Sequence, residues 1–198
     1  MKRKRIAVLI SGRGSNMQAL VKASTNPDYP ADIVLVLSNR PDAGGLMFAR
    51  DHNIPTVTID HKQFSGRENF DSAIHEALQK HAIELVACAG FMRIMSPVLI
   101  VPWRGRMLNI HPSLLPAYKG LHTHERALAD GARIHGASVH FVSEELDGGP
   151  VIAQAAVPVL PGDTADILRD RVLAAEHPLY VKALALVAGG KVQMSASS

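Results

Sequence analysis

The chain has 198 residues, 47% hydrophobic and 20% charged, proportions that fit one globular domain with a real core and argue against disorder. Its net charge of +3 is too small to imply nucleic-acid binding without a basic stripe. The most apolar window, Leu85 to Trp103, is broken by Arg93 and Pro97 and makes a poor membrane span. The lone Cys88 excludes an intramolecular disulfide and fits a reducing, cytoplasmic setting.

Taken in chain order, the basic cluster Lys2-Arg3-Lys4-Arg5 reads as a solvated leader with no signal-peptide pattern behind it. Ile6 to Ile10 is a continuous apolar run, as expected of a strand buried on both faces. Ser11-Gly12-Arg13-Gly14-Ser15-Asn16 follows, then a helical pattern with Met17, Leu20 and Val21 on one side. Such a strand, Gly-rich turn and helix aim backbone N–H groups and a positive helix end at one spot, which suits a phosphate. The same residues also suit a plain tight turn, with Ser15 as N-cap and Gln18 completing a capping box. The loop is not a full dinucleotide fingerprint, because Met17 stands at the third glycine position. The second strand, Ile33 to Leu37, ends in Ser38-Asn39-Arg40, and an arginine there keeps an NADP-binding reading in play.

A helix is expected over 44–52 and a strand over 56–59. Ser65-Gly66-Arg67-Glu68 has capping-box spacing and opens a helix with Phe70, Ile74, Ala77, Leu78 and His81 in one stripe. Arg67 then sits in a first helical turn, where the helix dipole disfavours a cation unless an anionic partner offsets it. The next strand, 85–89, contains Cys88 in a packing role. It leads into Gly90-Phe91-Met92-Arg93-Ile94-Met95, a bulky apolar segment that either shapes a flat pocket or plugs the core.

Met107 to Pro116 carries the polar groups that matter most. Asn109 and His111 alternate with Leu108 and Ile110, so in a strand both project from the same face. Pro112 and Pro116 end the strand at His111. An amide and an imidazole thus stand together at the C-terminal rim of an α/β sheet, where ligands bind. His122-Thr123-His124 lacks the partners of a metal site, and no metal is expected. Gly136 to Val142 alternates as a strand with Ser138 and His140 on one face. The turn-rich loop Ser143 to Pro150, with Glu144, Glu145 and Asp147, joins it to a returning antiparallel strand over 151–157. The last helix starts after Asp163 and is expected to kink or break just before Pro178, with a frayed tail over 192–198. Without repeats or linkers, residues 1–198 read as a single α/β domain: a mostly parallel twisted sheet, helices on both faces and an antiparallel edge.

In this order, Ser11-Gly12-x-Gly14-Ser15-Asn16, Gly90-Phe91-Met92-Arg93-Ile94, Asn109-Ile110-His111-Pro112-Ser113-Leu114-Leu115-Pro116, Gly136-x-Ser138-Val139-His140 and Leu146-Asp147-Gly148-Gly149-Pro150 resemble the glycinamide ribonucleotide formyltransferases of purine synthesis. The central motif alone is common to formyltransferases that use formyltetrahydrofolate; the Gly-Ser-Asn loop and short chain narrow the resemblance. It implies the formyltransferase fold, with a phosphate-binding half over about 1–100 and a folate and catalytic half over about 101–190. It implies 10-formyltetrahydrofolate as co-substrate, phosphoribosylglycinamide as acceptor, no metal, no nucleic acid or membrane partner, and a monomer or homodimer. By the same resemblance Gly14, Ser15 and Asn16 meet the phosphate end of the ribonucleotide and Glu176 holds its ribose. Arg67 meets the folate's anionic tail. Met92, Arg93, Ile94 and Met95, with Asn109 and the loop residues Ser143, Glu144, Glu145, Leu146 and Asp147, surround the folate. Asn109, His111 and Asp147 form the catalytic trio, with His140 and Ser138 in support.

The expected chemistry is direct attack of the glycinamide amine on the formyl carbon. Asn109 would donate to the developing oxyanion. His111, whose unperturbed pKa is near about 6.5, would supply the proton for the leaving folate nitrogen, oriented and favoured as imidazolium by Asp147. Three rivals stay open at this stage: transfer to another amine such as a sugar nucleotide, an NADP oxidoreductase using Arg40, and a non-catalytic ligand-binding module.

Overall fold

A computed structural model of the chain describes residues 2–194. Its sheet has seven strands in the order β3-β2-β1-β4-β5-β6-β7. They are β1 (Lys4–Ile10), β2 (Ala31–Ser38), β3 (Thr56–Thr58), β4 (Leu85–Cys88), β5 (Met107–His111), β6 (Ile134–Phe141) and β7 (Val151–Pro158). β3 through β5 run parallel, whereas β6 lies antiparallel to both β5 and β7. The parallel part needs crossovers, and these are supplied by α1 (Ser15–Ser24), α2 (Gly44–Asp51), α3 (Arg67–Lys80) and α4 (Pro97–Ile100). α5 (Thr123–Ala129) precedes β6, and α6 (Ala165–Ala188) closes the fold.

β1 shows why both faces are covered. Ile6, Val8 and Ile10 enter one core with Met17 and Leu20 of α1 and Tyr180 and Leu184 of α6. Ala7 and Leu9 enter the other with Phe70, Ile74 and Leu78 of α3 and with Trp103. A two-residue period feeding apolar groups to both sides requires helices on both sides. The strand order reverses between β1 and β4, so the C-terminal ends of these strands open the crevice in which such folds hold ligands.

Several local expectations needed revision. Lys2 to Arg5 is not a free leader. Lys4 and Arg5 open β1, Lys4 pairs with Glu84 at 2.8 Å, and Arg3 donates to the Ser24 and Ala31 carbonyls. Neither capping box forms: α1 is capped by Gly14 and α3 by Gly66, without a side-chain hydrogen bond at either. Positive-φ glycines end the preceding loops, so the hydroxyls of Ser15 and Ser65 fall outside the cap position. α6 runs unbroken through Pro178. Pro178 is exposed, as is Ala174, the residue whose carbonyl loses its usual N–H partner to the proline. Within the tail expected to fray, Val192 and Met194 pack against the larger core; residues 195–198 lie outside those described. Among the described residues no helix is long and apolar enough to cross a membrane.

Tyr180 ties the long helix to the sheet. Its ring is fully buried, and its hydroxyl donates toward two carbonyls on neighbouring strands, Cys88 at 3.0 Å and Leu108 at 3.2 Å. Burial also holds its pKa well above the usual phenol value, so it stays a donor. Replacing Tyr180 by Phe should lower stability by about 1–2 kcal/mol, since two buried carbonyls lose their shared donor. Urea unfolding should show a lower midpoint at an unchanged slope.

Candidate active site

The site grows from the end of β5. β5 pairs with β6 so that Asn109 lies opposite His140 and His111 opposite Ser138. This register brings two polar residues of each strand into one patch on one face of the sheet.

His140 is locked in one tautomer. Its Nδ1 donates to the Phe141 carbonyl at 2.9 Å, which leaves the Nε2 lone pair to accept from the Asn109 amide at 3.2 Å. Burial lowers the His140 pKa, outweighing the Phe141 hydrogen bond and the Asp147 charge. A neutral ring thus orients the Asn109 amide, whose second N–H remains free.

His111 is only 6% exposed. Its Nε2 donates to the Tyr118 carbonyl at 2.9 Å, and its Nδ1 faces Asp147 Oδ2 at 3.4 Å. Asp147 adopts a positive φ of 50° at the turn of the β6–β7 loop and accepts from the Gly120 N–H at 2.9 Å. Its other oxygen stands 3.7 Å from His140 Nε2, a contact without a proton between, given the His140 tautomer. Asn109, His111, His140 and Asp147 are therefore gathered in one place. The Tyr118–Gly120 backbone, which no side-chain pattern announced, holds both ends of the His–Asp pair.

Ser138 supports the site from behind. It is fully buried, its hydroxyl donates to the Ser113 carbonyl at 2.7 Å, and it accepts from Leu115 N–H and Gln154 Nε2. Gln154 also donates to the Leu115 carbonyl at 2.9 Å. These bonds fasten the turn that follows His111. Gln154 was missed in the sequence, although a single amide in the apolar run Val151 to Val157 was its signal.

The Gly-rich loop forms a second centre. Gly14 takes φ 68°, where a side chain would be strained, and a Cβ there would also come within 3.0 Å of Met17 Cε. Asn16 and Glu176, far apart in sequence, meet through a 2.6 Å bond from Asn16 Nδ2 to Glu176 Oε2. Both are buried, and Asn16 Oδ1 has no partner among the described residues. Burial raises the Glu176 pKa, partly opposed by the Asn16 hydrogen bond. Ser15 makes no side-chain cap.

Arg67, Ile94, Met95 and Glu144 line an open cleft of about 420 Å³. Met92 and Arg93 instead line a second one of similar size, beside Ser11, Gly12 and Arg40. Neither cleft includes His111. Met92, Ile94 and Leu146 are more than half exposed. Ser143 bonds within its own loop to the Glu145 carbonyl, Glu145 pairs outward with Lys119 at 2.6 Å, and Glu144 lies 3.5 Å from Arg104. Of this loop's residues, then, only Asp147 reaches the His111 patch.

Cys88 is fully buried, which pushes its thiol up to about 12 and rules out a thiolate nucleophile. Arg40 is exposed and forms two hydrogen bonds to Asp42. His122 lies near Glu125 whereas His124 faces His135, and among the described residues no group of three metal-ligating side chains gathers.

The formyl transferase family model matches residues 4–184. The phosphoribosylglycinamide formyltransferase of Escherichia coli is 47% identical over 189 residues, covering 96% of this chain and 89% of that protein. The chain belongs to the phosphoribosylglycinamide formyltransferase family. A phosphoribosylglycinamide formyltransferase structure from Brucella melitensis superposes with a TM-score of 0.91 at 49% identity, covering 98% of this chain and all of that one. The chain also matches the trifunctional purine biosynthetic protein adenosine-3 of Homo sapiens at 49% identity, with 98% of this chain aligned. It spans 19% of that protein's length, as it spans only a small share of the other trifunctional relatives. This chain thus corresponds to one segment of them.

Glu176 gives a pH signature. Its folded pKa lies above the ordinary carboxyl value of 4.5 because of burial. The native state therefore binds this proton more tightly than the unfolded chain does. The resulting stability is fully present below about 4.5 and is lost as pH rises through the folded value. Glu176→Gln, which keeps an acceptor for Asn16, should flatten that decline in urea-unfolding free energies measured across the acidic to neutral range.

Proposed function

We propose that the protein transfers the formyl group of 10-formyltetrahydrofolate to the glycinamide amine of phosphoribosylglycinamide, a step of purine synthesis. The observation that carries this reading is the meeting of Asn109, His111 and Asp147 at the end of β5, with a phosphate-suited loop on the same rim. Family membership supports it independently. A transfer to some other amine would have less use for that loop.

The folate co-substrate fits the residues present. The cleft beside Arg67 has the size usual for small-molecule sites, the Arg67 cation suits an anionic tail, and the exposed Met92, Ile94 and Leu146 side chains suit aromatic rings. Gly14, Ser15 and Asn16 take the phosphate end of the acceptor, and Glu176 its ribose.

The free N–H of Asn109 hydrogen-bonds the formyl oxygen as negative charge collects there during amine attack. His140 fixes that amide in advance, so little reorganisation accompanies the charge. His111 is anchored through Nε2 to Tyr118, which leaves its Nδ1 edge, shared with Asp147, as the acid–base edge. The attacking amine sheds a proton to that edge and the departing folate nitrogen takes one from it, so the pair ends as it began, with Asp147 balancing the imidazolium. No side chain needs to be acylated, in keeping with the buried, protonated Cys88.

Asn109→Ala and His111→Asn should each lower kcat by about 100- to 1000-fold, the loss typical of an oxyanion donor or a general acid. The assay follows release of deformylated folate by absorbance with phosphoribosylglycinamide as acceptor, with circular dichroism confirming an intact fold. Near-native turnover in either variant would remove that residue from the mechanism. A wild-type protein inert with this substrate pair would remove the function itself.

A further inference from the structure

The turn beside the His111–Asp147 pair has an uncommon backbone. Tyr118, Gly120 and His122 all take positive φ, at 54°, 79° and 57°. Glycine adopts that conformation freely, whereas tyrosine and histidine are strained in it, so contacts from outside must hold the turn in shape. The turn presents two groups to the site, the Tyr118 carbonyl to His111 Nε2 and the Gly120 N–H to Asp147. Held by these two bonds alone, it would shift whenever that pair shifted.

Arg126, one turn into α5, supplies an independent hold. Its Nη1 donates to the Lys119 carbonyl at 2.7 Å and to the Leu121 carbonyl at 3.2 Å, the residues on either side of Gly120. Its guanidinium also lies over the Tyr118 ring, 5.5 Å from the centroid. Among the described residues, the backbone of 118–121 makes no other hydrogen bond outside the turn beyond those to His111 and Asp147. The Lys119–Glu145 pair joins the same turn to the β6–β7 loop, but through long side chains that fix no backbone atom. Arg126 is exposed, and the neighbouring Glu125 faces His122 instead, so the guanidinium is directed to this turn.

We propose that Arg126 is a positioning residue: by gripping the carbonyls on both sides of Gly120 it fixes the turn that aligns His111 with Asp147. The assignment rests on the function proposed above and adds to it the side chain that keeps the acid–base pair in register. A planar guanidinium suits the task, because the two N–H bonds of one nitrogen reach two carbonyls in fixed directions. A lysine ammonium offers donors without that fixed geometry.

The test compares wild type, Arg126→Ala and Arg126→Lys in the formyl-transfer assay, with melting temperature and amide exchange measured on the same proteins. Arg126→Ala should lower kcat about tenfold through misplacement of the pair, with KM for phosphoribosylglycinamide changed no more than about twofold. Its melting temperature should move by no more than about two degrees, since the side chain is exposed. Arg126→Lys, which keeps a donor, should recover part of the lost kcat. An unchanged kcat would overturn the proposal. So would a loss of kcat matched by a large fall in melting temperature, the mark of a merely structural role. Amide exchange separates this proposal from the functional reading. The Gly120 N–H, followed by NMR, should exchange about tenfold faster in Arg126→Ala than in wild type, even if the protein formylated nothing. Equal exchange in the two would overturn the role of Arg126 while leaving the formyl transfer standing.

Discussion

The antiparallel pairing of β6 against β5 is the constraint on which the site depends. In an all-parallel sheet the neighbour of β5 would arrive from a crossover helix, with its own C-terminal end at the same rim. Here β6 runs the other way, so its second half lies along β5, with Ser138 beside His111 and His140 beside Asn109. A slip of one residue would turn Ser138 and His140 to the opposite face and leave Asn109 without its orienting ring. The loop from β6 to β7 then returns Asp147 to the same spot, where the Gly120 N–H holds its carboxylate. An amide, two imidazoles and a carboxylate meet in this way although the carboxylate is distant from β5 in sequence.

Most polar groups of the patch are held by backbone atoms rather than by one another. His111 is fixed by the Tyr118 carbonyl, His140 by the Phe141 carbonyl and Asp147 by the Gly120 N–H. Backbone partners cannot change protonation state, so they orient these side chains without adding a charge of their own. The neutral state of His140, enforced by burial, has the same effect, because it can only accept from Asn109. Within the patch, the His111–Asp147 contact is thus the one place where a proton has two side-chain homes.

What could be read in the sequence followed the strength of the local signal. The two-sided strands, the parallel sheet with an antiparallel edge and the end of β5 at His111 were legible because apolar period and proline both act locally. The co-location of Asn109 and His111 followed from the alternation of a strand. Helix starts were misread at Ser15 and Ser65. Capping-box spacing is common by chance, and the positive φ of Gly14 and Gly66 leaves no trace beyond the glycine itself. The break that Pro178 allowed does not occur, and sequence does not say which side of a helix meets water. The meeting of Asn16 with Glu176 and the bracing by Gln154 are products of tertiary packing, which no short-range pattern encodes. Asp147 was reached only through family resemblance, and the structure supplies its physical reason in the Gly120 N–H and the His111 ring.

The double bond pattern of Gln154 has a consequence for motion. This amide belongs to the outermost strand, yet it grips both the Ser138 hydroxyl and the Leu115 carbonyl. Edge strands are the first parts of a sheet to breathe, having neighbours on one side only. Each opening of this margin therefore loosens the segment that carries the chain away from His111. Fraying at the periphery and drift of the His111 imidazole become a single event rather than two.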